Sequence, residues 1–180
     1  MPARRIVSMQ AKAKTDYRRA LAQFATGVTI VTTRAADGTP CGLTVNSFNS
    51  VSLEPPLVLW SLALKANSLD AFRDCRHYAV NVLAAGQLDA ASTFADPRAD
   101  RFAQVAWHAG PFDVPVIDGA VASLIVANRR QHIEGDHVIL VGEVVTYDAP
   151  GGPALIFHDG RYIASATEEP LPKGFSKPWR

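Results

Sequence analysis

The sequence is short of cysteine, of charge of one sign and of long apolar runs. Two cysteines in 180 residues, Cys41 and Cys75, exclude a disulfide scaffold and a Cys-rich zinc site. They read as reduced thiols of a cytoplasmic protein. The net charge is +1, so the chain as a whole is no polyanion binder. No apolar run comes near the ~18 residues of a membrane span; the longest, Leu57–Leu64 and Ala120–Ala127, are strand-sized. The start has no apolar stretch of the roughly 7–15 residues that a secretory signal requires. The 12 glycines form neither G-x-G-x-x-G nor a P-loop, which removes Rossmann and Walker sites. The histidines, His77, His108, His132, His137 and His158, have no H-E-x-x-H spacing, and no G-x-S-x-G elbow marks a serine hydrolase. No metal site and no catalytic triad are expected.

What is present is a core. The hydrophobic fraction is 48% and the charged fraction 19%, which excludes a disordered chain. A chain of this length buries roughly 70% of its unfolded surface in one domain. Charge is uneven along it. Arg4, Arg5, Lys12, Lys14, Arg18 and Arg19 against Asp16 give the first twenty residues a balance of +5, so the rest carries −4. A basic start without aromatic interleaving or a reading motif is a solvated tail rather than a nucleic-acid arm.

The pattern predicts a tail over 1–14, one domain over 15–166 and an extended tail over 167–180. Thr15 and Asp16 start a helix whose apolar face is Tyr17, Leu21 and Phe24, ended by Gly27. Strands follow at Val28–Arg34 and Gly42–Phe48 about an Asp37-Gly38 turn, then at Val51–Leu53. Leu57–Leu62 is apolar on both faces and reads as a buried strand. Ser68 caps a helix over Leu69–Cys75. His77–Leu83 is a strand and Gln87–Phe94 an amphipathic helix. Asp96–Val114, with its Pro, Gly and charge, reads as a surface excursion. Ala120–Asn128 and His137–Tyr147 pair about Glu134-Gly135-Asp136, and a last hairpin turns at Asp159-Gly160. Seven or eight strands, mostly in hairpins, with two or three helices between them indicate a closed antiparallel barrel.

Two segments and one histidine stand out. Thr44–Ser52 is dense in small polar residues and offers many hydrogen bonds to a flat polar heterocycle; a polar strand edge has the same composition. At Ser61–Ser68 a buried strand runs into a helix start, where Lys65, free N–H groups and the helix dipole suit a phosphate. An ordinary cap with a solvated lysine has the same residues. His137 opens a strand directly after Gly135-Asp136, at a rim, in a place open to a functional or a structural role.

These residues also carry a family resemblance. Phe24-Ala25-Thr26-Gly27-Val28-Thr29-Ile30-Val31-Thr32-Thr33 and Gly42 through Val58 resemble signatures of the flavin reductase-like, split-barrel family. So do Tyr78–Leu83, Gly135-Asp136-His137 with Val141–Val144, and Leu155–Tyr162, in the same order over about residues 17–165. The resemblance implies a mainly β chain with peripheral helices, an antiparallel FMN-binding split barrel that is homodimeric. It implies an NAD(P)H:flavin oxidoreductase like the short reductases of two-component flavin-dependent monooxygenases. A non-enzymatic flavin-binding split barrel is the alternative.

By the same resemblance Thr44, Asn46, Ser47 and Ser50 would bond the flavin, FMN or FAD, and Val45 and Val51 would pack beside it. Ser61 with Lys65, Ala66, Asn67 and Ser68 would hold the phosphate, and Thr26 and Gly27 would close the site. His137, His158, Gly160, Arg161 and Tyr162 would meet the nicotinamide of NADH or NADPH. His137 would orient that ring without acid–base work, because hydride transfer needs neither a nucleophile nor a metal. The implied partners are a second copy and a monooxygenase that receives reduced flavin, with no nucleic acid and no membrane.

Overall fold

The structure, a computed structural model, describes residues 12–165. The expected tails lie outside these residues, except 12–14. In chain order the elements are α1 (Lys12–Ala22), β1 (Thr26–Gly27), β2 (Thr29–Arg34), β3 (Pro40–Val45), β4 (Asn49–Leu53) and β5 (Pro56–Ala63). There follow α2 (Leu69–Asp74), β6 (His77–Val82), α3 (Leu88–Ala95), α4 (Arg101–Gln104), β7 (Trp107–Ala109) and β8 (Pro115–Ile117). β9 (Ala122–Glu134), β10 (His137–Asp148), β11 (Leu155–His158) and β12 (Arg161–Ala164) complete the chain.

Seven strands form one antiparallel sheet in the order β3-β2-β6-β9-β10-β5-β4. Laid flat, its outer strands would lie about 29 Å apart. Yet the two edge strands, β3 and β4, are joined by only residues 46–48, a link that spans at most about 14 Å. The sheet must therefore curl until its edges meet at one corner. Ser47 fastens that corner: its hydroxyl accepts from the Ser61 N–H at 2.9 Å and donates to the Ser61 carbonyl at 3.1 Å.

The inside of the curl holds Val31, Val45, Val58, Trp60, Leu62, Tyr78, Val80, Val126, Val138 and Leu140, with Phe72 of α2 closing one end. Trp60 meets Phe72 and Tyr78 edge-on, at 4.9 and 6.0 Å between ring centroids. Gly142 on β10 leaves room for this packing. A Cβ there would strike Val126, the Tyr78 hydroxyl and the Ala127 carbonyl. On the outside, α3 lies on β2 and β3 through Ala90, Ala91 and Phe94 against Ile30. Its approach is close enough that a Cβ on Gly42 would meet Phe94 Cε1 at 2.9 Å.

One polar group is buried without cost. Asn81 donates to the Ile30 carbonyl (3.0 Å) and to Thr32 Oγ1 (3.3 Å), and accepts from the Ile117 N–H (3.1 Å) and Ser123 Oγ (3.0 Å). All four of its bonds are made, and they tie β2, β6, β8 and β9 together. β1, β11 and β12 form a separate three-stranded sheet, and β7 and β8 a two-stranded one.

The structure corrects several expectations. The described residues hold twelve strands, four α-helices and one turn of 3₁₀ helix over Pro111–Asp113, more than the seven or eight strands expected. α1 already includes Lys12, so Thr15-Asp16 does not start it, and it stops at Ala22, five residues before Gly27. The apolar residues expected on its face lie open to solvent, with Tyr17 48%, Leu21 56% and, past its end, Phe24 76% exposed. The excursion over Asp96–Val114 contains α4 and β7 and is otherwise a surface segment, buried only at its last residue, Val114; the buried Val116 and Ile117 follow it. β5 is buried on one face only. Val58, Trp60 and Leu62 point inward, while Leu57, Leu59 and Ser61 are half-buried on the outside.

Candidate functional site

Side chains alternate across a strand, so the buried positions identify which ones point outward. On β10, Val138 and Leu140 are inside, which sends His137 and Ile139 out; on β5, Ser61 and Ala63 go out. On β3, Val45 belongs to the interior core and Thr44 faces α3, where its hydroxyl donates to the Ala91 carbonyl at 2.6 Å. Thr44, Ser61, Ala63 and His137 thus lie on one outer surface.

One half of this surface is a cavity of about 200 Å³ lined by Val28, Thr44, Asn46, Ala95, Phe157 and Tyr162. β11 supplies the inner wall. Phe157 pairs with Thr26 on one side and Tyr162 on the other, and its ring meets the Tyr162 ring edge-on at 5.3 Å. Thr26 Oγ1 is buried with no hydrogen-bond partner among the described residues. An unpaired buried hydroxyl is costly, and this one sits across the ladder from a wall of the cavity.

The other half begins one residue past Asn46. Ser47 is fastened to Ser61, Ser61 pairs with Ile139, and two residues on Ala63 pairs with His137. The Leu64 N–H donates to the Asp136 carbonyl at 2.9 Å, which holds the start of the Lys65 loop against the Gly135-Asp136 turn. The N–H groups of Ala66 and Leu69 then bond the Ala63 and Ala66 carbonyls and coil Lys65–Ser68 into successive turns. Ser47, Ser61, Lys65 and His137 are brought together in this way. His137 Nδ1 lies 2.6 Å from Asp136 Oδ1. That bond, more than the charges of His137 and Lys65, holds the Asp136 carboxyl below the usual carboxylate range.

Not every expected residue joins the surface. Val45 packs inward, so its side chain cannot lie beside a ligand outside; this corrects the expectation for it. Ser50 and Val51 are exposed on the edge strand β4, at a bulge, and line no part of the cavity. Gly27 pairs with Ile156, and His158, Gly160 and Arg161 form the hairpin end above Phe157 and Tyr162. α2 has six residues, and Ser68, although at its N-cap and buried, makes no side-chain cap bond. Sequence reasoning missed Val28, Ala95 and Phe157, because a wall made by three separate elements leaves no local pattern. Asp136 was not counted among the site residues, although a tie between it and His137 was the structural reading of that histidine.

Elsewhere, a larger cavity of about 310 Å³ lies at the far end of β10 near His108, Ile117, Ser123 and Tyr147 and contains none of the expected residues. Burial raises the thiols of Cys41 and Cys75 above their ordinary range, which leaves them poor nucleophiles.

Comparison with known proteins agrees with this geometry. The family model described as "Flavin reductase like domain" matches residues 21–165. The reductase component of the flavin-dependent trigonelline monooxygenase of Acinetobacter baylyi is 42% identical over 151 residues, covering 84% of this chain. The chain spans 49% of that protein's length. The FMN reductase (NADH) SmoA of Agrobacterium fabrum is 42% identical over 147 residues, covering 82% of this chain and 83% of SmoA. The solved structure of the Streptomyces globisporus NADH:FAD oxidoreductase SgcE6 with NAD and FAD fragments superposes with a TM-score of 0.80 at 38% identity. It covers 94% of this chain and all of the other. The chain belongs to the flavin reductase like domain family.

Proposed function

We propose that the chain is an NAD(P)H:flavin oxidoreductase that reduces FMN or FAD and passes the reduced flavin to a partner monooxygenase. The observation that carries this reading is the continuity of the outer surface from Tyr162 and Phe157, past Thr44, Asn46 and Ser47, to Ser61, Lys65 and His137. The residues fit a flavin. Aromatic and aliphatic walls suit the flat ring, the orphaned Thr26 hydroxyl supplies a polar partner, and Lys65 supplies a cation for the phosphate. When bound, flavin supplies the ring that accepts a hydride from the nicotinamide. The chain's own residues bind and orient. Phe157, Tyr162 and Val28 exclude water from one side, and Asn46 hydrogen-bonds the polar edge. Lys65 with Ala66, Asn67 and Ser68 carries the phosphate, and His137 holds the nicotinamide in place. The His158–Tyr162 hairpin forms the adjoining rim.

The same reading includes an antiparallel split barrel working as a cytoplasmic homodimer. The curl of the seven-stranded sheet supports the barrel. The outward Leu57, Leu59, Ile139 and Val141, half-buried in the single chain, support a second copy packed beside Ser61 and His137. Such a copy also explains why β5 is apolar on both faces. Among the described residues no helix is long and apolar enough to cross a membrane.

The test is oxidation of NADH and of NADPH with and without FMN, FAD and riboflavin. Flavin-stimulated oxidation is expected. Flavin binding without any oxidation would replace this reading with a flavin carrier. Light scattering at micromolar concentration is expected to give a dimer, and a fully active monomer would remove the subunit boundary from the site.

A further inference from the structure

We propose that the cavity at the far end of β10 is a second ligand site, built for a small primary amine whose ammonium meets Asp148 and Asp118 while its apolar body lies on Val116, Ile117 and Ile125. The cavity has about 310 Å³, the lower end of the range for ligand pockets. None of Thr44, Lys65 and His137 lines it, so the inference is independent of the flavin reading.

The floor is apolar and fixed. Val116, Ile117, Ala120 and Ile125 are buried beneath the opening. The buried amide of Asn81 ties two of the lining residues together: its Oδ1 accepts from the Ile117 N–H at 3.1 Å and from Ser123 Oγ at 3.0 Å. On one wall, His108 pairs with Val116, and side chains directly opposite in a ladder share a face. The imidazole therefore stands on the side of this floor. Asp118 follows β8 and is held on three sides. Its N–H donates to the Ala106 carbonyl at 3.1 Å, its carbonyl accepts from Gln87 Nε2 at 2.8 Å, and its Oδ1 lies 2.6 Å from His108 Nδ1. On the other wall Thr146 pairs with Ile125 and Asp148 with Ser123, which sets the Thr146 hydroxyl and the Asp148 carboxylate on the cavity face. The Gly151 N–H donates to the Val121 carbonyl at 3.0 Å and holds the turn after β10. These walls are in place before anything binds, which lowers the cost of binding.

The charge pattern selects the ligand. Two carboxylates line the cavity, and no lysine or arginine does. Asp118 gives one oxygen to His108, and Asp148 has no ion pair among the described residues. An anion would meet two like charges here. A bare metal ion is disfavoured as well, because among the described residues no group of three or more His, Cys, Asp or Glu is placed to hold one, and the floor offers it no oxygen. A primary ammonium has three donors. The cavity face offers it the Asp148 carboxylate, Oδ2 of Asp118 and the Thr146 hydroxyl, and charge-assisted bonds of this kind are the strong ones. The hydrocarbon floor is then covered by the body of the amine, which removes apolar surface from water.

Three probes with one body and different heads decide the matter: 2-phenylethylammonium, 2-phenylethanol and phenylacetate. Each is titrated into the native protein at about pH 8, where an ordinary imidazole is neutral, and followed by ¹H–¹⁵N NMR. The ammonium is expected to bind saturably and to shift the amides of Gly119, Ser123 and Asp148. The alcohol should bind on the order of tenfold more weakly, and the carboxylate should not bind. Asp148→Asn should remove the preference for the ammonium over the alcohol and leave the melting temperature unchanged. Asp136→Asn, before the opposite end of β10, should keep that preference. The proposal is overturned by an ammonium that gives no saturable shift, by an alcohol that binds as tightly, or by shifts confined to the surface of Thr44 and Tyr162. A preference that survives Asp148→Asn overturns it too.

Discussion

The two ends of the candidate site rest on turns of the same length and of opposite security. Gly135-Asp136 joins strands of 13 and 12 residues in the middle of the seven-stranded sheet. Asp159-Gly160 joins two four-residue strands, the first of which ladders with the two-residue β1, and beyond it Leu155 at the start of β11 bonds Val28 and Leu83. Both use a glycine at positive φ. The first turn is held by a ladder on each side. The second is held from outside the sheet: the Asp159 N–H donates to the Ala22 carbonyl at 2.8 Å, and Gln23 Nε2 donates to Asp159 Oδ1 at 3.2 Å. Its anchor is thus the end of α1, a helix whose Tyr17 and Leu21 are open to solvent. Regions with few buried contacts open at low free energy. The Gly135-Asp136 turn is therefore the more firmly held of the two, and the Asp159-Gly160 turn depends on its bonds to Ala22 and Gln23.

The largest test of this contrast acts on the secure half. Gly142→Ala puts a methyl into Val126, Tyr78 and Ala127 and should cost about 3 kcal/mol or more. Denaturant unfolding should show the loss for the chain as a whole. Next is Lys65→Ala, which should weaken FMN more than riboflavin by roughly 1–3 kcal/mol, since only FMN carries the phosphate; calorimetric titration of both ligands checks it. Equal weakening would move the phosphate elsewhere. Gly160→Ala forces a left-handed φ of +73° on a residue with a Cβ, although nothing lies within 4 Å of that atom. About 1 kcal/mol is expected. Hydrogen exchange should quicken in β11 and β12 and stay slow in β9 and β10; uniform quickening would erase the contrast between the ends.

The smallest effect is with pH. The Asp136 pKa is lowered in the folded protein, chiefly by the His137 bond. A depressed carboxylate gives its contribution above the ordinary carboxylate range and loses it as pH falls through the lowered value. The His137 pairing should hold at neutral pH and release only in acid, with a carboxyl midpoint below ~3.9 by NMR titration.

Much of the local structure was legible. Asp37-Gly38, Gly135-Asp136 and Asp159-Gly160 all mark turns, because a positive φ is a demand that a residue meets by itself. β6 and α3 were found within a residue or two for the same kind of reason. The order of the sheet was not legible, since β5 meets β10 about 80 residues away and no period encodes a partner. The β7–β8 hairpin escaped because Pro111, Pro115 and Gly110 carry loop chemistry, while its burial comes from β2 and β6 beneath it. Within the site, the Thr44–Ser47 segment and Lys65 could be read from composition and charge. The strap from Ser47 to Ser61 could not, because neither serine shows in the sequence that the sheet will curl. The inward turn of Val45 follows from the same curl.

The place of β9 and β10 in the sheet has a consequence for the order in which the protein is made. As the chain leaves the ribosome, β2, β3 and β6 can assemble, and so can β4 with β5, but these two pieces share no ladder. The hairpin that joins β6 to β5 is complete only near residue 148. Until then the inner faces of Trp60, Tyr78 and Val80 have nothing to close over them. Pairing of such long range is slow, and a half-made sheet with open edges is prone to aggregate. A chain stopped at residue 121 should therefore be held by chaperones as an unfolded fragment, and release should come only after the hairpin has emerged.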